Sequence, residues 1–233
     1  MPVTQNPPHI VNLQDNIAQL TRLLEIHTQV AGPDPGYKYG VEILNKSALV
    51  LLVACWEAFI EDLASEAFAV LLSSVSDPAA VPTKVLALAA GPLKNSEDER
   101  AVWGLAGEGW KRVLLQHHDD IIDRFIGRLN TPRPGQVDAI FEALLGLRNL
   151  SSSWKWRGMS NERVRRKLDN LVDLRGEISH RVSASEPVYK SAVTDHIDFV
   201  KRLAAKTHNQ VTAHVSKLTG QTPWPAYKYQ DIA

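Results

Sequence analysis

Apolar residues recur at helical spacing along most of the chain. Between Val11 and Val30 they fall at Leu13, Ile17, Leu20 and Leu24, steps of three or four that line one helix face. The run stops at the breaker cluster Gly32-Pro33-Asp34-Pro35-Gly36. From Val41 to about Ser74, 34 residues pass without Pro or Gly. Apolar positions fill this segment and Glu57, Glu61 and Glu66 are expected on one side of it, which predicts a core helix of roughly 50 Å.

Prolines at 78, 82 and 92 confine the next apolar stretch, Val85 to Ala90, to a short helix. Ser96 with Glu99 matches a capping box and predicts a helix that carries Trp103 and Trp110, with Gly104, Gly107 and Gly109 weakening its middle. Trp110 to Leu129 is amphipathic, 131–135 reads as a turn, and Val137 to Leu147 as a short helix. Ser151-Ser152-Ser153 and Gly158 bracket a loop bearing Trp154 and Trp156. Ser160 or Asn161 caps a helix running to about Val182, and Ser185-Glu186-Pro187 opens another from Val188 to Leu218, the two expected as an antiparallel pair. Gly220 closes the last helix, and 221–233, with two prolines and no periodicity, is a tail ordered only by docking. No alternating pattern of useful length is present. The expectation is an all-α antiparallel bundle with extra short helices, one domain over 1–233. Its core spans about 40–219, a helix and linker occupy 1–36, and 220–233 is the tail.

Composition narrows the class. At 44% hydrophobic and 22% charged residues, the chain can bury a core and is too polar for a membrane bundle. The apolar run Ala48 to Trp56 is nine residues, about half of what a spanning helix needs, so no membrane association is expected. The first eight residues, with Pro2, Pro7 and Pro8, do not resemble a secretory signal, and a cytoplasmic location is expected. The lone Cys55 cannot form an internal disulfide, and no Cys/His spacing suggests zinc. Net charge is zero, yet residues 1–147 hold 11 basic and 18 acidic side chains whereas 148–233 hold 15 and 8. An anionic ligand would favour the second half; equally, the two halves could neutralise each other within one fold or across a dimer.

Common catalytic signatures are absent: no G-x-S-x-G, P-loop, H-E-x-x-H or G-x-G-x-x-G is found. His117-His118-Asp119-Asp120 with Asp123 invites a metal reading, but adjacent helical residues diverge by about 100°, so a solvated acidic face is favoured and no metal or cofactor is expected. The segment from Trp154 to Lys167 holds six basic residues against one acid. Lys155, Trp156, Arg157, Arg163, Arg165, Arg166 and Lys167, with Arg181 further on, combine charge for phosphates with rings for bases, as in binding to single-stranded RNA. The competing reading packs Trp154 or Trp156 into the core. Directly after this segment come Arg175 and His180, near the end of the same helix.

Three stretches carry a resemblance: Ala48 to Leu63 with its Trp56-Glu57 pair, Phe125 to Pro134 together with Ser151 to Trp156, and Arg175 to His180. With these the chain resembles HEPN-domain proteins of the RiboL-PSP-HEPN type, helical bundles with an Arg-x(4–6)-His motif late in the penultimate core helix. The resemblance implies a metal-independent endoribonuclease acting as a homodimer with a composite cleft, often the toxin of a toxin–antitoxin or antiphage system with an antitoxin or defence partner. It makes Arg175 and His180 the catalytic pair, with RNA cut by attack of the 2′-OH to leave a 2′,3′-cyclic phosphate and a 5′-OH. Glu57, Asp173 and Glu177 are the candidates to orient them. Two departures stand out. Active members usually carry a polar residue after the Arg where this chain has Gly176, and Val182 occupies the place where some toxins have a modifiable Tyr. A catalytically silent module that binds RNA or a protein therefore remains the alternative. On a straight helix Arg175 and His180 leave the axis about 140° apart, so they meet only if the helix distorts, which Gly176 permits, or the arginine side chain reaches around.

Overall fold

A computed structural model describes residues 6–32, 40–127, 129–130, 132–181 and 187–232, with Arg181 described for its backbone alone. The breakers at 33–36, Thr131, the helix end at Val182 and the cap at Ser185-Glu186 lie outside the described residues.

Helix α1 (Pro8–Ala31) starts with Pro8 in its first turn, where the missing N–H costs nothing. It ends at Gly32, whose φ of 77° takes the chain out of the helix while its N–H donates to Thr28. The predicted stripe Leu13, Ile17, Leu20 and Leu24 is buried, joined by Ile10. It lies on α2 (Glu42–Ser74), a 33-residue helix apolar on nearly all sides. By length and composition α2 could cross a membrane, since its apolar window extends well beyond the nine-residue run. Its surroundings show a core helix instead. It packs against α1, α6 (Pro134–Leu145), α7 (Asn161–Arg181) and α8 (Lys190–Thr219), and Leu52, Trp56, Phe59, Ile60, Leu63 and Phe68 are all but inaccessible. Each such side chain contributes roughly 1.5–3 kcal/mol by leaving water.

The remaining helices are α3 (Thr83–Lys94), α4 (Gly109–Gln116) and α5 (His118–Phe125). Of the described residues 76% are helical, 3₁₀ turns included, and none lies in a strand.

Four sequence expectations need correction. Helix α3 continues past Ala90 through Gly91 and Pro92, which removes one hydrogen bond of the last turn, and ends two residues later at Lys94. Ser96 does not open a helix with Glu99. Its hydroxyl accepts from the Asp98 N–H and Asp98 accepts from the Arg100 N–H, so the polar side chains close consecutive turns leading into a 3₁₀ stretch, Ala101–Leu105. The amphipathic run from Trp110 breaks at His117 into α4 and α5. Finally, α7 and α8 do not form a close two-helix pair. Both lean on α2, and Lys167 of α7 reaches Phe199 of α8, its ammonium 4.9 Å from the ring centre. The tail docks as expected: Asn209 holds the Tyr227 backbone at both N–H and C=O, and Ile232 is fully buried.

Candidate functional site

On α7 the buried residues Val164, Leu168, Leu171 and Ile178 set the stripe that faces the core. Arg175 occupies that stripe, four residues after Leu171 and three before Ile178, where the periodicity calls for an apolar side chain. The guanidinium is thereby drawn against α2, and Glu57 on α2 faces it. Burial raises the Glu57 pKa above the ordinary carboxylate value and the Arg175 charge opposes that rise. Glu61, one turn further along α2, is raised by burial and by the neighbouring charges of Glu57 and Asp62. No direct hydrogen bond completes the pair: Oε2 of Glu57 and Nε of Arg175 are both buried without a partner. Two oppositely charged, half-buried groups thus face each other without a direct ion pair, each with one buried atom unsatisfied, an arrangement found where a ligand supplies the missing contacts.

His180 lies beyond this stripe and is exposed. The α-helix runs unbroken through Gly176 to Arg181, so no helix distortion brings the two together. Arg175 and His180 therefore leave the axis about 140° apart, the arginine toward α2 and the imidazole toward solvent. A single chain carries the two groups on different faces of the helix.

The neighbouring loop is fixed to the same place. The Trp56 indole donates to the Pro132 carbonyl at 3.0 Å, and the next residue, Arg133, ion-pairs with Asp173 and Asp169 of α7. Asp173, expected to orient the catalytic pair, is thus an exposed partner of Arg133, whose pKa it raises by hydrogen bonding. That correction follows from its position two residues before Arg175, on another face of the helix. Glu177 is exposed between the two motif residues. Parts of the stretches that carry the resemblance meet in this way: Pro132 and Trp154 on Trp56 of α2, and Arg133 on the helix that carries Arg175 and His180.

The basic segment lies elsewhere. Trp154 is core: it is fully buried, its indole N–H donates to Thr207, and its ring meets Trp56 edge to face. Ser151 anchors this loop by donating from its N–H and hydroxyl to Asp138. Trp156 is half-buried beside Phe199, and its backbone pairs with Met159 across a tight turn at Gly158, φ 82°. The turn leaves Lys155 and Arg157 exposed. Arg163 donates to the Gly158 carbonyl, Arg166 pairs with Glu162, and Arg165 is half-buried. Met159, Arg163, Arg166, Lys167 and Asn170 line a hollow of about 530 Å³ with His196 of α8. Burial lowers the pKa of Lys167, and burial again lowers that of His196, whose Nδ1–H donates to the Ala192 carbonyl. Arg163 and Arg175, twelve residues apart, are separated by about 18 Å of helix, so this basic surface and the motif occupy opposite ends of α7. The side chain of Arg181 lies outside the described residues.

Elsewhere, His117 and His118 pair with Asp120 and Asp119, and His118 stacks on Phe68, so these side chains bond along their own helix rather than converge. No group of three potential metal ligands occurs among the described residues.

Sequence reasoning missed a second buried polar cluster. Glu66 of α2 accepts from the backbone N–H of His9 and meets Nδ1 of the same residue, both at 2.7 Å. Nε2 of His9 meets Nδ1 of His208 at 2.9 Å, and Nε2–H of His208 donates to the Pro225 carbonyl. Burial lowers the His208 pKa to about 4, so its ring is neutral and accepts from His9. Glu57 and Glu66 therefore serve opposite sides of α2, not one: nine residues are two and a half turns.

No curated protein and no solved structure matches the chain. The RiboL-PSP-HEPN family model matches residues 12–213, nearly the whole of the bundle, and the chain belongs to that family.

Proposed function

We propose that the protein is a metal-independent endoribonuclease that works as a homodimer in the cytoplasm, with a toxin–antitoxin or antiphage role, and that Arg175 and His180 carry the chemistry. The observation that carries the reading is Arg175 itself, a guanidinium at a core position of α7 with a buried unpartnered Nε, held beside the raised carboxyl of Glu57. Unpaired buried charge is costly for a fold, and a phosphate that completes its hydrogen bonds gives it a purpose.

The imidazole of His180 accepts the proton of the ribose 2′-OH, the O2′–P bond forms, and the guanidinium of Arg175 stabilises charge gathering on the phosphate oxygens. The P–O5′ bond breaks and an imidazolium returns a proton to the leaving oxygen. The products are a 2′,3′-cyclic phosphate and a 5′-OH, and DNA, without a 2′-OH, does not react. Because one helix carries the motif side chains on different faces, a two-fold pairing of the C-terminal ends of α7 supplies both what is missing: a second imidazole and an arginine facing it. Glu57 positions Arg175 within each copy. The second reading, an RNA-binding module without catalysis, is favoured by Gly176 alone.

Purified protein incubated with labelled RNA in EDTA distinguishes them. The wild type is expected to cut, leaving cyclic-phosphate ends, and Arg175→Ala and His180→Ala to be slower by roughly 10²–10⁴-fold. Cutting by both variants at the wild-type rate overturns the assignment, and binding without cutting supports the silent module.

A further inference from the structure

A pocket of about 300 Å³ lies on the other side of the Trp156–Met159 turn from the basic hollow, and the tail forms half of it. Its lining includes Trp156 from the loop, Arg202 and Lys206 from α8, and Tyr227, Lys228 and Tyr229 from the tail. Residues 202 and 206 are one helical turn apart, so α8 presents both cations to the same opening. No carboxylate lines it, and among the described residues none of Arg202, Lys206 and Lys228 makes a side-chain ion pair. The guanidinium of Arg202 lies 3.5 Å from the ring centre of Tyr229. That contact gives the cation a flat partner and leaves its N–H groups for an anion.

The pocket is built rather than incidental. Asn209 bonds the Tyr227 backbone twice, Tyr227 Oη donates to Asn6, the Pro225 carbonyl accepts from His208, and Gln14 holds the Asp231 carbonyl. Asp231, the acid closest in sequence, accepts the Lys228 N–H and closes the last 3₁₀ turn. The rings are thus fixed before any ligand arrives, which lowers the ordering cost of binding. Phe199 joins this pocket to the basic hollow, touching Trp156 on one side and Lys167 on the other.

Flat aromatic and guanidinium surfaces with unpaired cations are what an unstacked base and its phosphates require. The volume sits at the lower end of the range for small-ligand sites, which suits one nucleotide rather than a duplex. We infer that this pocket is a base-binding subsite for single-stranded RNA, and that the strand runs from it past the Trp156–Met159 turn, over the surface beneath which Phe199 is buried, into the hollow of Arg163, Arg166 and Lys167. The inference rests on the RNA reading above and adds to it a contact point at the far end of α7 from the motif. Substrate would be gripped there by the tail while it is cut near the other end.

The test measures binding of a short unstructured RNA carrying 2′-O-methyl groups, which cannot be cut, alongside cleavage of the unmodified strand. Tyr229→Ala is expected to weaken binding about tenfold and Tyr229→Phe to leave it unchanged. Lys206→Glu, an exposed change that does not depend on the tail staying docked, is expected to weaken binding and to flatten its salt dependence. For unmodified RNA both weakened variants should raise KM with little change in kcat. Wild-type affinity in Tyr229→Ala and Lys206→Glu, with cleavage intact, overturns the subsite and leaves the nuclease reading standing. Weakened binding by those variants in a protein that never cuts RNA upholds the subsite and removes the nuclease. A wild type that binds no single-stranded RNA overturns the subsite outright.

Discussion

Helix α2 carries two buried polar clusters, and they are opposites. At Glu66 the chain of hydrogen bonds through His9 and His208 to the Pro225 carbonyl uses both nitrogens of each ring and ties together α1, α2, α8 and the tail. At Glu57 the carboxyl and the Arg175 guanidinium face each other with a buried atom unpartnered on each. A satisfied network specifies a fold, because every member is lost if one element moves. An unsatisfied one adds little to stability and is retained for another reason. Buried atoms without a partner also occur at His27, Asn45 and His118, so what sets the Glu57 cluster apart is that two oppositely charged groups are left incomplete together.

The contrast is broken most sharply by deleting one member of each cluster. Arg175→Ala removes a side chain whose Nε bonds to nothing, so stability should change by no more than about 1 kcal/mol while cleavage falls by roughly 10²–10⁴-fold. Glu66→Ala leaves the His9 N–H and ring without their acceptor and should cost about 3 kcal/mol in denaturant unfolding. The folded fraction should still cut RNA. A large stability loss in Arg175→Ala would mean that its cluster is structural after all.

Acid titration sharpens it next. His208, with a pKa held down to about 4 from 6.5, binds its proton more weakly folded than unfolded. Its contribution is therefore complete above pH 6.5 and is lost as pH falls toward 4, a difference of about 3 kcal/mol. His196 and His27 shift in the same direction. Glu57 and Glu61 shift upward and act oppositely, favouring the fold below pH 4.5 and opposing it as they ionise. Stability measured by urea unfolding should rise from pH 4 to 6.5, and His208→Gln should flatten most of that rise. An unchanged slope in the variant would show that the ring is not held neutral.

How far the sequence disclosed all this depends on how local each signal is. The apolar positions of α1, α2 and α7 and Gly220 ending α8 in the left-handed region are local, and they are where periodicity and breakers place them; α6 instead starts at Pro134, inside the expected turn, and ends at Leu145, because Pro134 suits a first helical turn and Gly146 takes the left-handed conformation before Leu147. The break at His117 is not legible, since no Pro or Gly marks it and the turn is made by packing on neighbouring helices. Arg175, His180 and Glu57 stand out in the sequence as charges late in α7 and within an apolar helix, but their relative placement does not. Asp173 was assigned to the wrong partner because Arg133 reaches it from 40 residues away. The His9–Glu66–His208 chain spans 57 and 199 residues, and the tail pocket draws on three distant segments. Spacing along the chain cannot reveal such meetings; only the route of the backbone creates them.

The smallest effect bears on why the Arg175 cluster is incomplete. Gly176 sits inside an unbroken helix, its φ is not in the left-handed region, and a Cβ added there meets no atom within 4 Å. Nothing steric requires glycine. Gly176→Ala should therefore raise stability by up to about 1 kcal/mol, a melting shift of about 2–4 °C, simply by restricting the unfolded chain and favouring the helix. Gly176→Asn restores the polar side chain that resembling active proteins carry after the arginine, and its Cβ, like that of alanine, meets nothing within 4 Å. If the cluster lacks a group that orients the substrate, Asn should increase cleavage while Ala does not. Equal rates in all three proteins would place the missing partner on the RNA itself, and a rise with Ala as well would make helix stiffness, rather than a hydrogen bond, the quantity that limits the site.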